Sequence, residues 1–267
     1  MLLHRSYLKQ FAYTLFICLV YLFMFLPMMG IFVHSFNSSC VASSWESFTL
    51  DWYKELFCSP EVGRAAWNSL VIAISSTALS IILGTAFVLG TSEKKYSKLD
   101  MLFYPNIFTP DIVLAVAIMS LFKFLNIPCG FVSLIAGHTA IGLVFAIPLL
   151  RSRMEELDKY LIEASLDLGA DRWYTTKKVL LPLLKPAIIT AAFMAFTLSL
   201  DDFFISFFCA GNEIETLSMY IFSHLRTNNT PVLSALSICV VASSFTILMI
   251  GYVATKYTTM EKSNDLY

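Results

Sequence analysis

The chain has 267 residues, of which 57% are hydrophobic and only 14% are charged, and its mean hydropathy is +0.71. Since a soluble domain carries about 25% charged residues, this composition predicts a membrane-embedded chain, and the net charge of −1 gives no electrostatic basis for nucleic-acid binding. The sequence contains neither a G-x(4)-G-K-[ST] phosphate loop nor a CxxC pair among its six cysteines, so it indicates no ATPase, metal or redox motif.

Six apolar runs are long enough to cross a membrane, because a spanning helix needs roughly 20 mostly apolar residues. The runs are continuous rather than alternating, which favours helices over strands. The sequence therefore predicts an all-α membrane protein in which residues 1–267 form one transmembrane domain. The predicted spans are about 11–36, 65–90, 101–124, 131–150, 187–210 and 232–255.

The first apolar run follows Arg5 and Lys9, as the apolar core of a secretory signal peptide follows its basic residues. It is about 26 residues long, which exceeds the 7–15 residues of such a core, and no clear cleavage site follows it. We therefore expect the run to remain in the protein as the first span.

The distribution of lysine and arginine predicts the orientation, since cytoplasmic loops carry the excess of these residues. With the N-terminus inside, 14 of the 18 basic residues lie in inner segments. Both termini and the polar segment 151–186 are then cytoplasmic, and the loop 37–64 faces outward. The four basic residues on the outer side are Lys54, Arg64, Lys123 and Arg226.

The outer loop contains a pattern typical of a short helix that Thr49 caps. Trp52 and Tyr53 lie in this helix, which would form either a lid over the first two spans or a landing surface for a substrate-delivering protein. Cys40 and Cys58 share the same compartment and would pair only if it is oxidising, a point that the sequence leaves open.

Three acids lie within predicted spans: Asp111 in the middle of the third, and Asp201 with Asp202 in the fifth. A central aspartate costs roughly 2.5–3.5 kcal/mol on insertion scales, so such residues usually face a cavity or a partner. No lysine or arginine lies in the interior of the six spans, since Lys123 is at the outer end of the third, and a cationic substrate would meet the demand for positive charge. Protonated acids, a base on a second membrane subunit or a position at a helix end are the alternatives.

Other polar and aromatic residues accompany these acids. Asp201 and Asp202 would point about 100° apart on a helix, so that one faces the path while the other braces a neighbour. Ser199 would donate a hydrogen bond to substrate or backbone, and Phe203, Phe204 and Tyr104 would offer aromatic faces to an amine. In the fourth span, the isolated His138 is interpreted as a packed, hydrogen-bonded residue rather than a proton relay.

The polar segment 151–186 predicts two helices joined by a tight turn. The first runs from Glu155 to Leu168 and ends at Gly169, which adopts a left-handed conformation at low cost. Asp171 caps the second helix, which carries Trp173 and Tyr174 in its first turn. Pro182 and Pro186 mark the return to the membrane.

This segment also carries a recognisable spacing: Glu-Ala-Ser-Leu-Asp-Leu-Gly at 163–169, then nine residues, then Val-Leu-Leu-Pro at 179–182. It resembles the E-A-A-x-x-x-G-x(9)-I-x-L-P signature of permease subunits of ATP-driven importers, with departures at Ser165 and Val179. The resemblance implies that the loop docks onto a separate ATPase, with residues 170–178 as the coupling helix. An amphipathic hairpin on the lipid headgroups is the alternative. The implied coupling residues are Glu163, Ala164, Gly169, Asp171, Arg172, Trp173 and Pro182.

Four further stretches, at 35–39, 49–53, 109–113 and 196–202, resemble the C-type permease subunits of spermidine/putrescine importers. The resemblance implies a type I ABC importer permease fold in a bacterial inner membrane, with alternating access, a polyamine substrate and surrounding lipid. The implied protein partners are a second, B-type permease, two ATPase subunits that bind ATP and Mg, and an extracytoplasmic solute-binding protein.

The same resemblance implies no catalytic residue, metal or cofactor in this chain. Two other readings stay open: an importer permease for another small solute, and a standalone secondary transporter that uses the acids for proton coupling.

Overall fold

The structure is a computed structural model that describes residues 2–39, 44–91, 103, 108–211, 214–225 and 230–264. These residues form helices and connecting loops, with an isolated bridge between Asn37 and Phe48 and no strand among them. The predicted all-α class is confirmed. The helices are α1 (Leu2–His34), α2 (Asp51–Cys58), α3 (Pro60–Gly90), α4 (Asp111–Phe124), α5 (Phe131–Glu156), α6 (Lys159–Asp167), α7 (Arg172–Thr175), a π-helix (Thr176–Leu180), α8 (Leu181–Asp201), α9 (Phe204–Cys209), α10 (Leu217–Leu225) and α11 (Thr230–Asn264).

Five helical stretches in the described part of the chain are long and apolar enough to cross a membrane, and each overlaps a predicted span. They are Tyr13–His34, Pro60–Gly90, Phe131–Glu156, Arg172–Asp201 and Pro231–Gly251. The third predicted span corresponds to α4, whose 14 residues cover only its second half. Residues 101–102 and 104–107 of that span, including Tyr104, lie outside the described residues, as do Lys94, Lys95 and Lys98 of the preceding loop.

The chain divides into two compact units, one of residues 1–60 with 223–243 and the other of residues 61–222 with 244–267. In the first unit, the stretch Tyr13–His34 of α1 is apolar on every side, and none of its most apolar 18-residue window is buried within the chain. A helix that is apolar all round is suited to lipid or to a partner subunit. The prediction of a single transmembrane domain stays a prediction.

The second unit is built on the packing of α3, α5 and α8. Its buried core includes Val88 of α3, Leu150 of α5 and Leu184 of α8. At the C-terminal end of α3, the buried Arg151 guanidinium donates hydrogen bonds to the carbonyl oxygen and the hydroxyl of Thr91, at 3.2 and 3.0 Å. These contacts join α3 to α5, and α5 and α8 pack together along their length.

Candidate functional site

The fifth span is interrupted close to the paired acids. Helix α8 ends at Asp201, and Asp202 has an extended backbone, with φ −68° and ψ 126°. The carbonyl oxygen of Asp202 accepts hydrogen bonds from the hydroxyls of Ser206 (3.2 Å) and Ser218 (2.7 Å), while its carboxylate Oδ2 accepts the Ser206 backbone N–H at 3.1 Å. The prediction of a continuous span over 187–210 is therefore wrong, because side-chain hydroxyls satisfy backbone groups that a continuous helix would pair.

The three acids predicted for the substrate path lie near this break. Asp111 is exposed and is the first residue of α4, so its predicted place in the middle of a helical run is wrong: Pro110 precedes the helix start. Asp201 is exposed at the end of α8, whereas the side chain of Asp202 is only 6% exposed. Asp111 and Asp201 are close enough to Asp202 to interact electrostatically with it. The helix also ends between the adjacent acids, so they do not share one helical surface.

No lysine or arginine forms an ion pair with these three acids among the residues that the structure describes. The lysine and arginine ion pairs found there, Lys54–Asp51 and Arg153–Glu156, do not involve these three acids. The C-terminal end of α8 adds the partial negative charge of its unpaired carbonyls. The break therefore combines three carboxylates with a helix terminus that favours cations.

His138 lies beside the break, with 2% of its surface exposed. Its Nδ1 is 3.1 Å from the hydroxyl of Ser199, and its Nε2 is 3.2 Å from the hydroxyl of Ser206 and 4.0 Å from Oδ2 of Asp202. The hydroxyl of Ser199 is in turn 3.2 Å from that of Ser76 on α3. The interpretation of His138 as a packed, hydrogen-bonded residue is confirmed, and Ser199 is buried with hydrogen-bonding partners on two other helices.

Sequence reasoning missed Ser76, Ser206 and Ser218 as members of this region. Buried serines are common at contacts between membrane helices, because their small side chains let backbones approach and their hydroxyls bond across helices. Ser76 and Ser80, four residues apart on one face of α3, carry that signal. Ser206 and Ser218 follow the break, and nothing in their spacing reveals that both would bond to Asp202.

An aromatic cluster adjoins the same break. The ring of Phe203 lies 4.4 Å from that of Phe222, 5.4 Å from that of Phe207 and 5.6 Å from that of Phe204, measured between centroids. Phe203 and Phe204, two of the aromatic residues predicted to meet an amine, therefore belong to one cluster next to Asp202.

The polar segment forms an elbow of residues 158–180 in which α6 and α7 meet at Gly169. Gly169 has φ +84° and donates its N–H to the carbonyl of Leu166 at 2.9 Å, while Ala170 donates to the carbonyl of Ser165 at 3.2 Å. The left-handed turn occurs at the predicted residue. Asp171 accepts the N–H of Tyr174 at 2.7 Å and caps α7, as the sequence indicates.

The first helix of the elbow begins later than predicted. Helix α5 continues through Glu155 to Glu156, and α6 starts at Lys159, where the Asp158 carboxylate accepts the N–H of Tyr160 at 3.0 Å. The predicted helix from Glu155 to Leu168 is therefore two helices, because a capping aspartate ends the continuity between them.

The second helix of the elbow runs into the fifth span without a break. A π-helical turn, Thr176–Leu180, joins α7 to α8, and Pro182 lies in the first turn of α8. A proline ring clashes with the carbonyl four residues before it, and a wider π turn at that point relieves the clash. Pro182 and Pro186 thus lie inside the helix and do not separate the elbow from the membrane span.

The elbow is braced inside and exposed outside. The hydroxyl of Ser165 on α6 is 3.0 Å from that of Thr175 on α7, and Thr175 is buried. The outward surface mixes apolar, aromatic and charged residues, and Trp173 is 72% exposed. Other exposed residues of the elbow are Asp158, Tyr160, Leu161, Glu163, Ala164, Leu166, Asp167, Leu168, Gly169, Asp171, Arg172, Tyr174, Lys177 and Lys178, and Pro182 is exposed just beyond it.

The predicted helix of the outer loop is α2, and its packing differs from expectation. The indole Nε1 of Trp52 donates to the carbonyl of Asn37 at 2.8 Å, and the hydroxyl of Tyr53 is 2.8 Å from that of Ser35. Both predicted docking residues thus hold α2 to the end of α1, while Phe57 is 78% exposed on α2.

The predicted cap of α2 is displaced by one residue. Leu50 occupies the N-cap position, while the Thr49 hydroxyl accepts the Asp51 N–H at 3.1 Å. Cys58 is exposed, and Cys40, its suggested disulfide partner, lies outside the described residues.

Comparisons with known proteins give the chain a family. The family model of the binding-protein-dependent transport system inner membrane component matches residues 2–258. The chain is 32% identical to the spermidine/putrescine transport system permease protein PotC of Haemophilus influenzae, over 93% of this chain and 98% of that protein. It is 30% identical to the putrescine transport system permease protein PotI of Escherichia coli, over 87% of this chain and 85% of that protein.

A solved structure shares the fold. In the bacterial alginate ABC transporter, crystallised in complex with an alginate pentasaccharide-bound periplasmic protein, one chain superposes with a TM-score of 0.73 at 16% identity, covering 95% of this chain and 96% of that one. The predicted type I importer permease fold is confirmed.

Proposed function

We propose a cargo, a set of partners and an orientation for this chain, which belongs to the family of binding-protein-dependent transport system inner membrane components. The chain is a membrane permease subunit rather than an enzyme. The proposed cargo is a polyamine cation, spermidine or putrescine, which moves along a path that includes the break after α8.

The cluster of acids at the break carries the cargo proposal. Asp111 and Asp201 both act electrostatically on Asp202, and none of the three acids has a lysine or arginine ion pair among the described residues. A polyamine carries several ammonium groups on a flexible methylene chain, so it supplies both the missing positive charge and apolar segments for the adjoining phenylalanines. The names of PotC and PotI, which denote spermidine/putrescine and putrescine transport, support the same cargo.

The contacts and the exposure of the two adjacent acids suggest that they have different roles. Asp202 accepts the Ser206 N–H and so braces α9, whereas Asp201 is exposed at the C-terminal end of α8. Asp201 is therefore placed to meet the cation first, with the α8 carbonyl dipoles behind it. Interrupted membrane helices serve as ion sites in transporters for the same electrostatic reason.

The elbow supports the proposed coupling to ATP hydrolysis. Its exposed surface combines Trp173, Tyr174 and Arg172, residue types that anchor protein interfaces. We assign this surface to a separate ATPase subunit, present in two copies and binding ATP and Mg. A second, B-type permease and an extracytoplasmic binding protein complete the proposed assembly.

A single helical rod connects the elbow to the break. Residues Arg172–Asp201 form 30 consecutive helical residues, which span about 45 Å at 1.5 Å per residue. If the ATPase displaces the elbow, this continuous helix would therefore transmit the movement to the acids. Alternating access follows if the cation binds the break better in one of the two resulting states. We place both termini and the elbow on the cytoplasmic side, in agreement with the lysine and arginine bias.

Uptake of labelled spermidine and putrescine into proteoliposomes that contain the full complex tests this proposal. We expect uptake to require both ATP and the ATPase subunit. Excess unlabelled polyamine should inhibit the uptake of the labelled polyamine, whereas a neutral sugar should not. Uptake that persists without the ATPase would identify a secondary transporter. Uptake of neither polyamine by an assembled, ATP-hydrolysing complex would overturn the cargo assignment.

A further inference from the structure

We infer that His138 is a positioning residue for the cation path: it holds the Asp202 segment of the broken span in the orientation that the cargo meets. This inference deepens the proposed function and rests on it. It depends on a buried chain of hydrogen bonds that joins α3, α8, α5 and α9 at the break.

The hydrogen bonds around His138 are satisfied when its ring proton is on Nε2. The Ser76 hydroxyl donates to the Ala73 carbonyl at 3.3 Å and lies 3.2 Å from the Ser199 hydroxyl, and Ser199 then donates to Nδ1 of His138. The Nε2–H of His138 then donates to Ser206, whose hydroxyl donates to the Asp202 carbonyl. In this arrangement Ser199 and Ser206 each donate once and the imidazole is neutral, with its proton on Nε2.

Among the four hydrogen-bonded side chains, His138 alone has two polar atoms on opposite sides of one rigid ring. Its Nδ1 faces Ser199 on α8, before the break, and its Nε2 faces Ser206 on α9, after the break. The imidazole therefore fixes the distance between the two halves of the interrupted span. Because α5 carries His138 and packs closely along α8, the ring ties the break to the helix core.

The carboxylate of Asp202 depends on this arrangement. Its Oδ2 lies 4.0 Å from Nε2 of His138 and accepts the N–H of Ser206, the residue that His138 contacts. Without the imidazole, Ser199 and Ser206 would lose a buried hydrogen-bond partner, which favours rotation of their hydroxyls and a shift of α9. The Asp202 carboxylate would then no longer be held at one position relative to Asp201.

The first arm of the test measures uptake kinetics of spermidine in proteoliposomes of the full complex. His138→Phe keeps a ring of similar size but removes both polar atoms, and we expect it to raise KM about five- to tenfold, the effect of losing about one hydrogen bond, with a smaller change in Vmax. His138→Gln, whose amide both donates and accepts, should recover most of the affinity. An unchanged KM in His138→Phe would overturn the inference.

A matched control and a double variant separate positioning from general packing. Ser80→Ala removes a buried hydroxyl that donates to the carbonyl oxygens of Ser76 and Thr139 in the same helix pair and not to His138 or Asp202, so it should leave KM unchanged. The KM effect of His138→Phe should also largely disappear in an Asp202→Asn background, because residues that act through one another are not additive. Fully additive effects would contradict a role exerted through Asp202.

The second arm does not depend on the cargo. The Asp202→Cys variant is labelled with 2-aminoethyl methanethiosulfonate, a cationic thiol reagent. The labelling rate of the new cysteine is the rate of this variant minus that of the protein that retains Asp202, since the native cysteines of both proteins also react. Adding His138→Phe should change this rate severalfold, while adding Ser80→Ala should not. An equal rate with and without His138 overturns the positioning role. If the wild-type complex transports neither polyamine, the proposed cargo fails, and the labelling rates still decide the role of His138.

Discussion

The elbow and the break interrupt helices of the same unit by different means. At the elbow, Gly169 turns the chain in a left-handed conformation, and Asp158 and Asp171 cap the adjoining helices through bonds to residues two or three positions away. At the break, Asp202 is stabilised by Ser218, sixteen residues later, and the neighbouring His138 comes from another helix. The elbow is therefore a local structure, whereas the break depends on tertiary contacts.

This difference agrees with what each region is proposed to do. An exposed elbow that folds through its own residues keeps its shape before and after a partner binds, which suits a docking surface. A break that depends on contacts between helices can alter its geometry when those helices move, which suits a site that must bind and then release a cation. The variants below test this contrast, from the largest expected effect to the smallest.

Asp202→Asn should have the largest effect. Asparagine retains an oxygen that accepts the Ser206 N–H, so the break keeps its geometry, but the negative charge is lost. Hydrogen bonds to charged groups contribute about 1.5–3 kcal/mol. The uptake rate at low spermidine concentration should therefore fall roughly 10- to 100-fold, with the same amount of ATPase bound to the permease. Unchanged uptake would make Asp202 a purely structural residue and would weaken the contrast.

Gly169→Val should damage the elbow and leave the break intact. A β-branched residue at φ +84° is strained by about 1–3 kcal/mol, and no neighbouring atom lies within 4 Å of the added Cβ to complicate the result. We expect reduced co-purification of the ATPase, a smaller loss for Gly169→Asn, and none for Gly63→Ala, an equally open glycine without a positive φ. Full ATPase binding by Gly169→Val would show that the turn is dispensable.

Asp171→Ala should have an intermediate effect, because it removes only the cap of α7. Loss of an N-cap costs about 1 kcal/mol, so the affinity of the permease for its ATPase should fall about fivefold in a pull-down titration. Asp171→Ser should restore most of this affinity, since serine caps helices as well. Equal affinity of all three proteins would place the docking surface elsewhere.

Ser218→Ala should have the smallest effect. It removes one of two hydroxyls that donate to the Asp202 carbonyl, and Ser206 continues to donate to it. A loss of about 0.5–1 kcal/mol should appear as faster hydrogen–deuterium exchange of residues 202–207, with little change at the elbow. Exchange that rises at both regions alike would indicate that the break and the elbow are not independent.

Local chemistry explains which features the sequence predicts. Five helical stretches that overlap the predicted apolar runs, the turn at Gly169 and the cap at Asp171 depend on residue type and short spacing, and the sequence predicts them. Asp158 carries the same kind of signal, but the helical periodicity around it favours one helix from Glu155, so the sequence predicts too early a start for α6.

The break could not be predicted in the same way. No glycine or proline lies between Ser199 and Ser206, and the residues that stabilise the interruption come from α5 and from the segment around Ser218. Periodicity alone therefore gives a continuous helix there. The sequence identified the acids and the buried histidine separately, but only the fold brings them to one place.

The central claim is that the exposed acid beside the break meets a polyamine cation. It is tested most directly by ATP-dependent uptake of labelled spermidine and putrescine into vesicles containing the full complex, with Asp201→Asn beside wild type. We predict saturable, ATP-dependent uptake by the wild type and a strong loss of uptake in Asp201→Asn, with assembly and ATPase binding intact. Equal uptake by the two proteins, or no polyamine uptake by the wild type, would contradict the claim.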